Sequence, residues 1–509
     1  NLMGAAAAAA SAGGGDFYSH QIANSCRFDG AASKLVRDPS SDGNLQVLTF
    51  STWVKRSGLG SLQKLYICGE GVSYGYYSDI GFDANDKLFA RLESGGTMFL
   101  STQVFRDTSA YYHIVMAIDT TQGTADNRCK VYVNGERITA WATDPASTIS
   151  QNYNTSYTTS LNGSEQWVGA IFNNSYYFNG YMAETYLVDG TQLAIGDTGE
   201  TKNGVWIPKD PSGFTYGTNG FLLNYASSSD LGNDVSGNNN DFTATAIAAS
   251  DQMLDSPTFS ATDGNGGNFC TYNFLNKGTA TTISEGNLKV TGSSANATMP
   301  SGTMAFTSGK WYFERYISAY SSGYPYMGLA AIGNVTQPIA SGGDIWATRF
   351  NPVDGTVIVN SGAQITGFGT ITPVSTGLAT ATTGDIIAFH LDCDNRKCWI
   401  TKNGAFVNSG DPSAGTNPQW SWTATPINPI TFFDQLHTSS SSILNAGQDG
   451  TFAGALTAQG NADENGYGNF YYAPDTGFLA MCAANLPTAA EVDPAQTDDD
   501  YPQKLFSTL

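Results

Sequence analysis

The chain has 509 residues, 41% of them hydrophobic and only 13% charged, so it has apolar matter for real cores and global disorder is excluded. Its net charge of −21 argues against phosphate backbones and anionic lipid surfaces as partners, so no nucleic acid is expected. No apolar run approaches the ~20 residues needed to cross a bilayer, and no membrane insertion is expected.

In chain order, residues 1–15 are almost all Ala, Gly and Ser. They read as a leader, either a flexible linker or an anchor whose small side chains let the backbone slot closely into another subunit. The segment lacks the basic start of a signal peptide. Residues 16–193 read as short strands and turns. "LTFSTWVKRS" alternates, with Leu48, Phe50, Thr52 and Val54 on one face and Thr49, Ser51, Trp53 and Lys55 on the other. "DIGFDANDKLFARLE" is two strands joined through Asp83–Asp86. "YYHIVMAID" is apolar on both faces, and "CKVYVNG" alternates again. Strands recur about every ten residues with no long helical period between them, which is the pattern of a β-sandwich.

Residues 194–268 are loop-rich, with one or two strands of their own. Residues 269–487 repeat the strand grammar in "GKWYFERYI", "YPYMGLAAI", "DIIAFHLDCDNRKCWITKNG" and "NPITFFDQL". The last segment, 488–509, is an acidic tail. The expected fold class is therefore all-β: two antiparallel jelly-roll-type sandwiches joined by a loop-rich connector. One hairpin is written twice. "HIVMAID" leads to "RCKVYVNGERI" and "DIIAFHLD" leads to "RKCWITKNGAF". Asn134-Gly135 and Asn403-Gly404 are turn residues that tolerate positive φ. Val131, Val133, Ile387 and Phe389 are expected to be buried.

The seven cysteines are scattered and no pair is spaced C-x-x-C, so a zinc site or dense disulfide framework is not expected. Cys393 and Cys398 would face each other if Asn395 and Arg396 form the turn, and a cross-strand disulfide is geometrically allowed there. His113 and His390 lie in strands and read as core or edge residues.

The run from Tyr111-Tyr112-His113-Ile114-Val115 to Val133-Asn134-Gly135, and the closing "FNGYMAETYLVDG" with Gly180, Met182 and Glu184, resemble a laminin-G or concanavalin-A-like jelly roll. "GKWYFE" (Gly309 to Glu314) and Gly384 to Gly404 resemble a SPRY domain. "TNGFLLNY", "LGNDVSGNNNDFTATAI", "SGKWYFE" and "GFLAMCAANLP", in this order, resemble large virion proteins of tailed bacteriophages. "SGNNNDF" (Ser236 to Phe242) resembles a laminin-G opening segment but follows the first sandwich. It could serve either sandwich.

The concanavalin-like fold also hosts glycoside hydrolases, which need two carboxylates about 5 to 9.5 Å apart. Neither E-x-D-x-E nor E-x-D-x-x-E occurs, and "EVDPAQ" (Glu491 to Gln496) has Gln where the second acid belongs. No H-E-x-x-H, G-x-S-x-G or P-loop is present. No catalytic residue and no cofactor is expected. Laminin-G-like domains can bind calcium, and Asp83 with Asp86, or Asp230 with Asp234 and Asp241, offer hard oxygen ligands. The same residues are ordinary turn formers.

Four loop clusters mix aromatics with Gly, Ser and Asn: Tyr74, Tyr76 and Tyr77; Tyr176, Tyr177 and Phe178; Tyr324 and Tyr326; Trp420 and Trp422. Tyr and Trp stack on sugar faces and keep a polar tip. Trp420, Trp422, Tyr324 and Tyr326 are the expected ligand-binding residues, because each pair is spaced to share one face of an extended segment. The reading is a non-enzymatic virion protein on the exterior of a phage particle, as tail fibre or head decoration. Its expected partners are other virion proteins, further copies of itself and a host-surface glycan. A carbohydrate-active enzyme and a purely structural capsid cover are the alternatives.

Overall fold

A computed structural model describes residues 17–486, apart from 71–76, 93–97, 144–148, 173, 279, 294–299, 321–325, 332–345, 352–355, 360–370, 374–379 and 424–428. The leader, the tail, Tyr74, Tyr76 and Tyr324 lie outside the described residues. The rest is nearly all β, with one four-residue α-helix, Ile195–Thr198, among the described residues.

The first sandwich has two eight-stranded sheets. Sheet one runs Glu136–Arg137, Cys129–Val133, Tyr112–Asp119, Val47–Arg56, Asn179–Asp189, Ser25–Asp29 and Gln252–Met253, with Phe221–Leu223 also on Asn179–Asp189. Sheet two runs Trp141–Thr143, Met98–Val104, Lys87–Arg91, Tyr77–Phe82, Gln63–Glu70, Ser164–Val168, Lys34–Arg37 and Thr243–Thr245. Alternate residues of facing strands fill the space between the sheets: Phe50, Val54, Tyr66, Ile80, Phe82, Leu88, Ile114, Met116 and Val131 are all buried there. Two of the carboxylates offered to calcium serve turns. Asp83 accepts the backbone N–H groups of Asn85 and Lys87, and Asp234 accepts those of Leu222, Ser236 and Asn240. Asp86 is held by Arg56 and Arg106.

The connector is not a free link. Phe221–Leu223, Thr243–Thr245 and Gln252–Met253 each pair with strands of the first sandwich, and Gly199–Lys202 pairs with Val205–Pro208 as a separate hairpin. It thus holds five strands where one or two are expected. Phe242 packs edge-on against Phe221 at 4.7 Å, and Arg37 of sheet two donates to Asn240 Oδ1 at 2.5 Å. Residues 230–241 therefore belong to the first sandwich.

The second sandwich has a ten-stranded and a four-stranded sheet. Lys310–Ala319 and Ile386–Asp392 sit centrally in the larger one; in the smaller, Tyr326–Ala331 lies between Trp346–Asn351 and the edge strand Ile430–Gln435. The repeated hairpin is present in both units, and Val131, Val133, Ile387 and Phe389 are all buried. In the second unit the turn spans 393–396, because Asp392 pairs with Lys397 and Leu391 with Cys398. This corrects the two-residue turn expected there. Cys393 sits in the turn rather than opposite Cys398, and all seven cysteines are buried free thiols.

The two sandwiches share a buried interface. Trp53, Tyr111, Tyr181, Ala183 and Met253 of the first unit pack with Leu288, Ile386, Ile443 and Phe452 of the second. This explains why Val47–Arg56 is buried on both faces. Tyr181 donates to the Gly286 carbonyl at 2.6 Å; Gly286 has φ +65°, and a Cβ there would meet the Tyr181 hydroxyl at 2.3 Å. Arg27 reaches across to Asp449 at 3.3 Å and Glu285 at 3.6 Å. His113 stacks on Trp53 at 4.3 Å, accepts from the Trp206 indole at Nδ1 and bonds Ser51 through Nε2. Burial pushes its pKa down to about 3, so it is a neutral structural residue. His390 is likewise buried and pushed down to about 3 by desolvation.

Candidate functional site

The outer face of sheet two of the first sandwich carries an apolar cluster of its own, apart from the core between the sheets. Strand alternation sends Ile80, Phe82, Leu88 and Ala90 inward, so Tyr77, Asp79, Phe89 and Arg91 point outward. The register then lines up one row across six strands. Val36 lies beside Trp167, Trp167 beside Ile67, Ile67 beside Asp79, Asp79 beside Arg91 and Arg91 beside Met98.

The segment 169–178 folds back over this row. Gly169, at φ +86°, sits where a Cβ would meet the Phe28 ring at 2.5 Å. Phe178 N–H returns to the Gly169 carbonyl at 2.7 Å, and Lys64 N–H donates to the Tyr176 carbonyl at 2.9 Å. Tyr176 takes φ 54°, a backbone state that aromatic residues rarely adopt, and its side chain is left 46% exposed. Phe172 packs edge-on against Tyr77 at 5.7 Å, and Tyr177 joins the same apolar cluster. Tyr77 and Tyr177, from two aromatic clusters read from the sequence, thus meet on one face.

Charges interleave with these rings, and most are compensated in place. Lys64 pairs with Asp79, with 2% and 0% of their side chains exposed. Burial pushes Lys64 down, and the Asp79 charge opposes that. The Lys64 ammonium lies 4.6 Å from the Phe89 ring centre and 5.8 Å from that of Tyr176. Arg91 donates to the Tyr77 hydroxyl, and its Nε stands 3.8 Å from Asp79. Lys34 sits 4.8 Å above Trp167 and donates to Asn174, while the Trp167 indole donates to Glu165 at 3.0 Å. A face of aromatic rings with anchored polar tips and paired charges suits a neutral, hydroxyl-rich ligand better than a strongly charged one.

The expected site residues fall elsewhere. Trp420 and Trp422 share one face of the strand Trp420–Trp422, as their spacing requires, but it is the inner face. Trp420 is 0% and Trp422 5% exposed, both within the core of the second sandwich, and Trp420 stacks on Phe389 at 6.0 Å. Their rings are covered by protein and present no surface to a sugar; this corrects their assignment as ligand contacts. Tyr326 is half-buried and pairs across the sheet with Gln435. Sequence reasoning missed Lys64, Asp79, Arg91 and Trp167. One signal was available: reading "DIGFDANDKLFARLE" as a hairpin turning at Asp83–Asp86 already puts Asp79 opposite Arg91.

Residues 29–193 match a laminin-G family of the concanavalin A-like lectin/glucanase superfamily, so the first sandwich has a lectin-like fold. Comparison by sequence with curated proteins returns no match. Among solved structures, a Bacteroides ovatus protein described as carbohydrate binding is similar over 45% of this chain, with 14% identity and a TM-score of 0.31; this chain spans 60% of its length. The SPRY domain of human HERC1 is similar over 34% of this chain and 96% of its own, with 15% identity and a TM-score of 0.24. Domains LG4–5 of the mouse laminin α1 chain are similar over 81% of this chain and 83% of their own, with 12% identity and a TM-score of 0.28.

Proposed function

We propose that the protein is a non-enzymatic, glycan-binding structural component of a tailed-phage particle, displayed on its exterior. The observation that carries the glycan part is the exposed Tyr176 ring, with half-buried Tyr77, Tyr177 and Arg91 beside it, over the buried Trp167–Ile67–Asp79 row of a sandwich of lectin-like fold. Stacking and short-range hydrogen bonds suit a chain of net charge −21, which long-range electrostatics would hold away from anionic envelopes. The particle assignment rests on the order of motifs that resembles phage virion proteins. As tail fibre or head decoration, the chain would pair with other virion proteins and further copies of itself.

The non-enzymatic reading is supported by the state of Asp79. It is fully buried and paired with Lys64, so it is placed to hold the sheet rather than to donate a proton to a leaving group. The test is binding of the full chain to an array of bacterial surface glycans, with Tyr77→Ala and Tyr176→Ala beside it. Binding that falls at least tenfold in both variants, with unchanged melting, supports the reading. Binding untouched by either variant, or hydrolysis of a bound glycan, overturns it.

A further inference from the structure

Lys55 lies at the junction of the two sandwiches, and its surroundings go beyond an ion pair. Its ammonium Nζ stands 2.7 Å from Asp255 Oδ2, 2.6 Å from Asn268 Oδ1 and 3.1 Å from the Phe269 carbonyl. The Lys55 side chain is 1% exposed and that of Asp255 is 0%. The Tyr181 ring centre is 5.7 Å from Nζ. A C=O bond is about 1.23 Å long, so the Asn268 amide carbon lies no further than about 3.8 Å from Nζ. That is close to the separation at which bound groups react. Asn268 Nδ2 donates to the Ser109 carbonyl, so the amide is held with its oxygen towards Lys55. The second carboxylate oxygen, Asp255 Oδ1, is buried with no hydrogen-bond partner.

An amine, an amide and a carboxyl group in a dry site are the parts of an acyl transfer. We propose that Lys55 and Asn268 join in an intramolecular isopeptide bond, with Asp255 as the acid–base group, covalently tying the first sandwich to the segment that opens the second. A proton passes from Nζ to Asp255, and the freed lone pair adds to the Asn268 amide carbon. The Nζ–Cγ bond forms and the Cγ–Nδ2 bond breaks. Of the three ammonium protons, one stays on the new amide nitrogen, one is relayed through Asp255 to Nδ2 so that ammonia leaves, and one remains on the carboxyl group. Nothing is oxidised or reduced, and no co-reactant is needed. An amine held against a buried carboxylate can pass it a proton and become a nucleophile. Burial pushes the Asp255 carboxyl up, against the pull of the Lys55 charge.

The experiment is intact mass spectrometry of the full purified chain, followed by proteolysis. The expected mass is below the sequence mass by one ammonia, with a branched peptide joining the Lys55 and Asn268 segments. Asp255→Ala and Lys55→Arg should each restore the full mass. Full mass in the native chain, with Lys55 and Asn268 in separate peptides, overturns the proposal and leaves an ion pair. Ammonia loss without a branched peptide overturns it as well. The native chain decides the question by itself, so a variant that fails to fold leaves the answer intact.

Discussion

The second sandwich carries a charge pair in its core, and removing one partner should cost far more than removing both. Arg315, on Lys310–Ala319 of the large sheet, meets Asp434, on Ile430–Gln435 of the small sheet, at 2.6 Å, and both side chains are 0% exposed. The guanidinium sits 5.1, 5.0 and 4.9 Å from the ring centres of Phe313, Phe389 and Phe432. Tyr272 and Ser442 donate to the other Asp434 oxygen. Asp434→Asn keeps an acceptor for those hydroxyls but leaves the guanidinium unpaired among aromatics, at about 3–5 kcal/mol. Arg315→Met strands a carboxylate that still has two donors, at about 2–4 kcal/mol. The double variant removes both charges and keeps the acceptor, so it should lose no more than about 2 kcal/mol. The coupling is then about 3 kcal/mol or more. Urea unfolding followed by tryptophan fluorescence measures it, because buried Trp311, Trp399 and Trp420 report on this sandwich. Additive single losses, or singles under about 1 kcal/mol, would refute a desolvated pair bridging the two sheets.

Trp420→Ala should cost about 3–5 kcal/mol by leaving a cavity under Phe389, whereas Tyr176→Ala should change stability by less than about 0.5 kcal/mol; equal effects in denaturant titrations would contradict the burial assigned to each. Glu314 is pushed up to about 7 by burial, against hydrogen bonds from Tyr471 and Tyr472 N–H, Tyr312 and Asn445. A raised carboxyl pKa contributes stability that is full below about 4.5 and lost as pH rises through about 7, worth about 3 kcal/mol at ~1.4 kcal/mol per pH unit. Glu314→Gln should flatten that slope in urea midpoints measured from pH 5 to 8, and an unchanged slope would reject the assignment. Arg27→Met leaves Asp449 and Glu285 without their cation across the interface and should lower the calorimetric melting temperature of the joined sandwiches; an unaltered thermogram would show that the contact does not couple them.

Much of the fold was legible because strand period and turn chemistry are local. The alternation of Leu48, Phe50 and Val54, the Asn-Gly turns and the repeated hairpin all follow from side chains a few residues apart. So did the shared face of Trp420 and Trp422. Which face was theirs was not legible, since period 2 is the same for an inner and an outer row, and only the sheet that packs on top decides between them. The connector hid two of its strands for the same reason: Thr243–Thr245 and Gln252–Met253 are too short to show a period, and their identity as strands comes from the partners they meet. The sequence by itself determined that there are two β-sandwiches and which residues could fill them. The tertiary structure decided that the sandwiches close on each other, that Tyr77 and Tyr176 share a face, and that Lys55 meets Asp255 and Asn268. The last two of those contacts join residues 99 to 213 positions apart, and Arg27 meets Asp449 across 422. Chain-local pattern carries no information at that range, and only the packing of distant segments onto a sheet's outer surface brings such groups together.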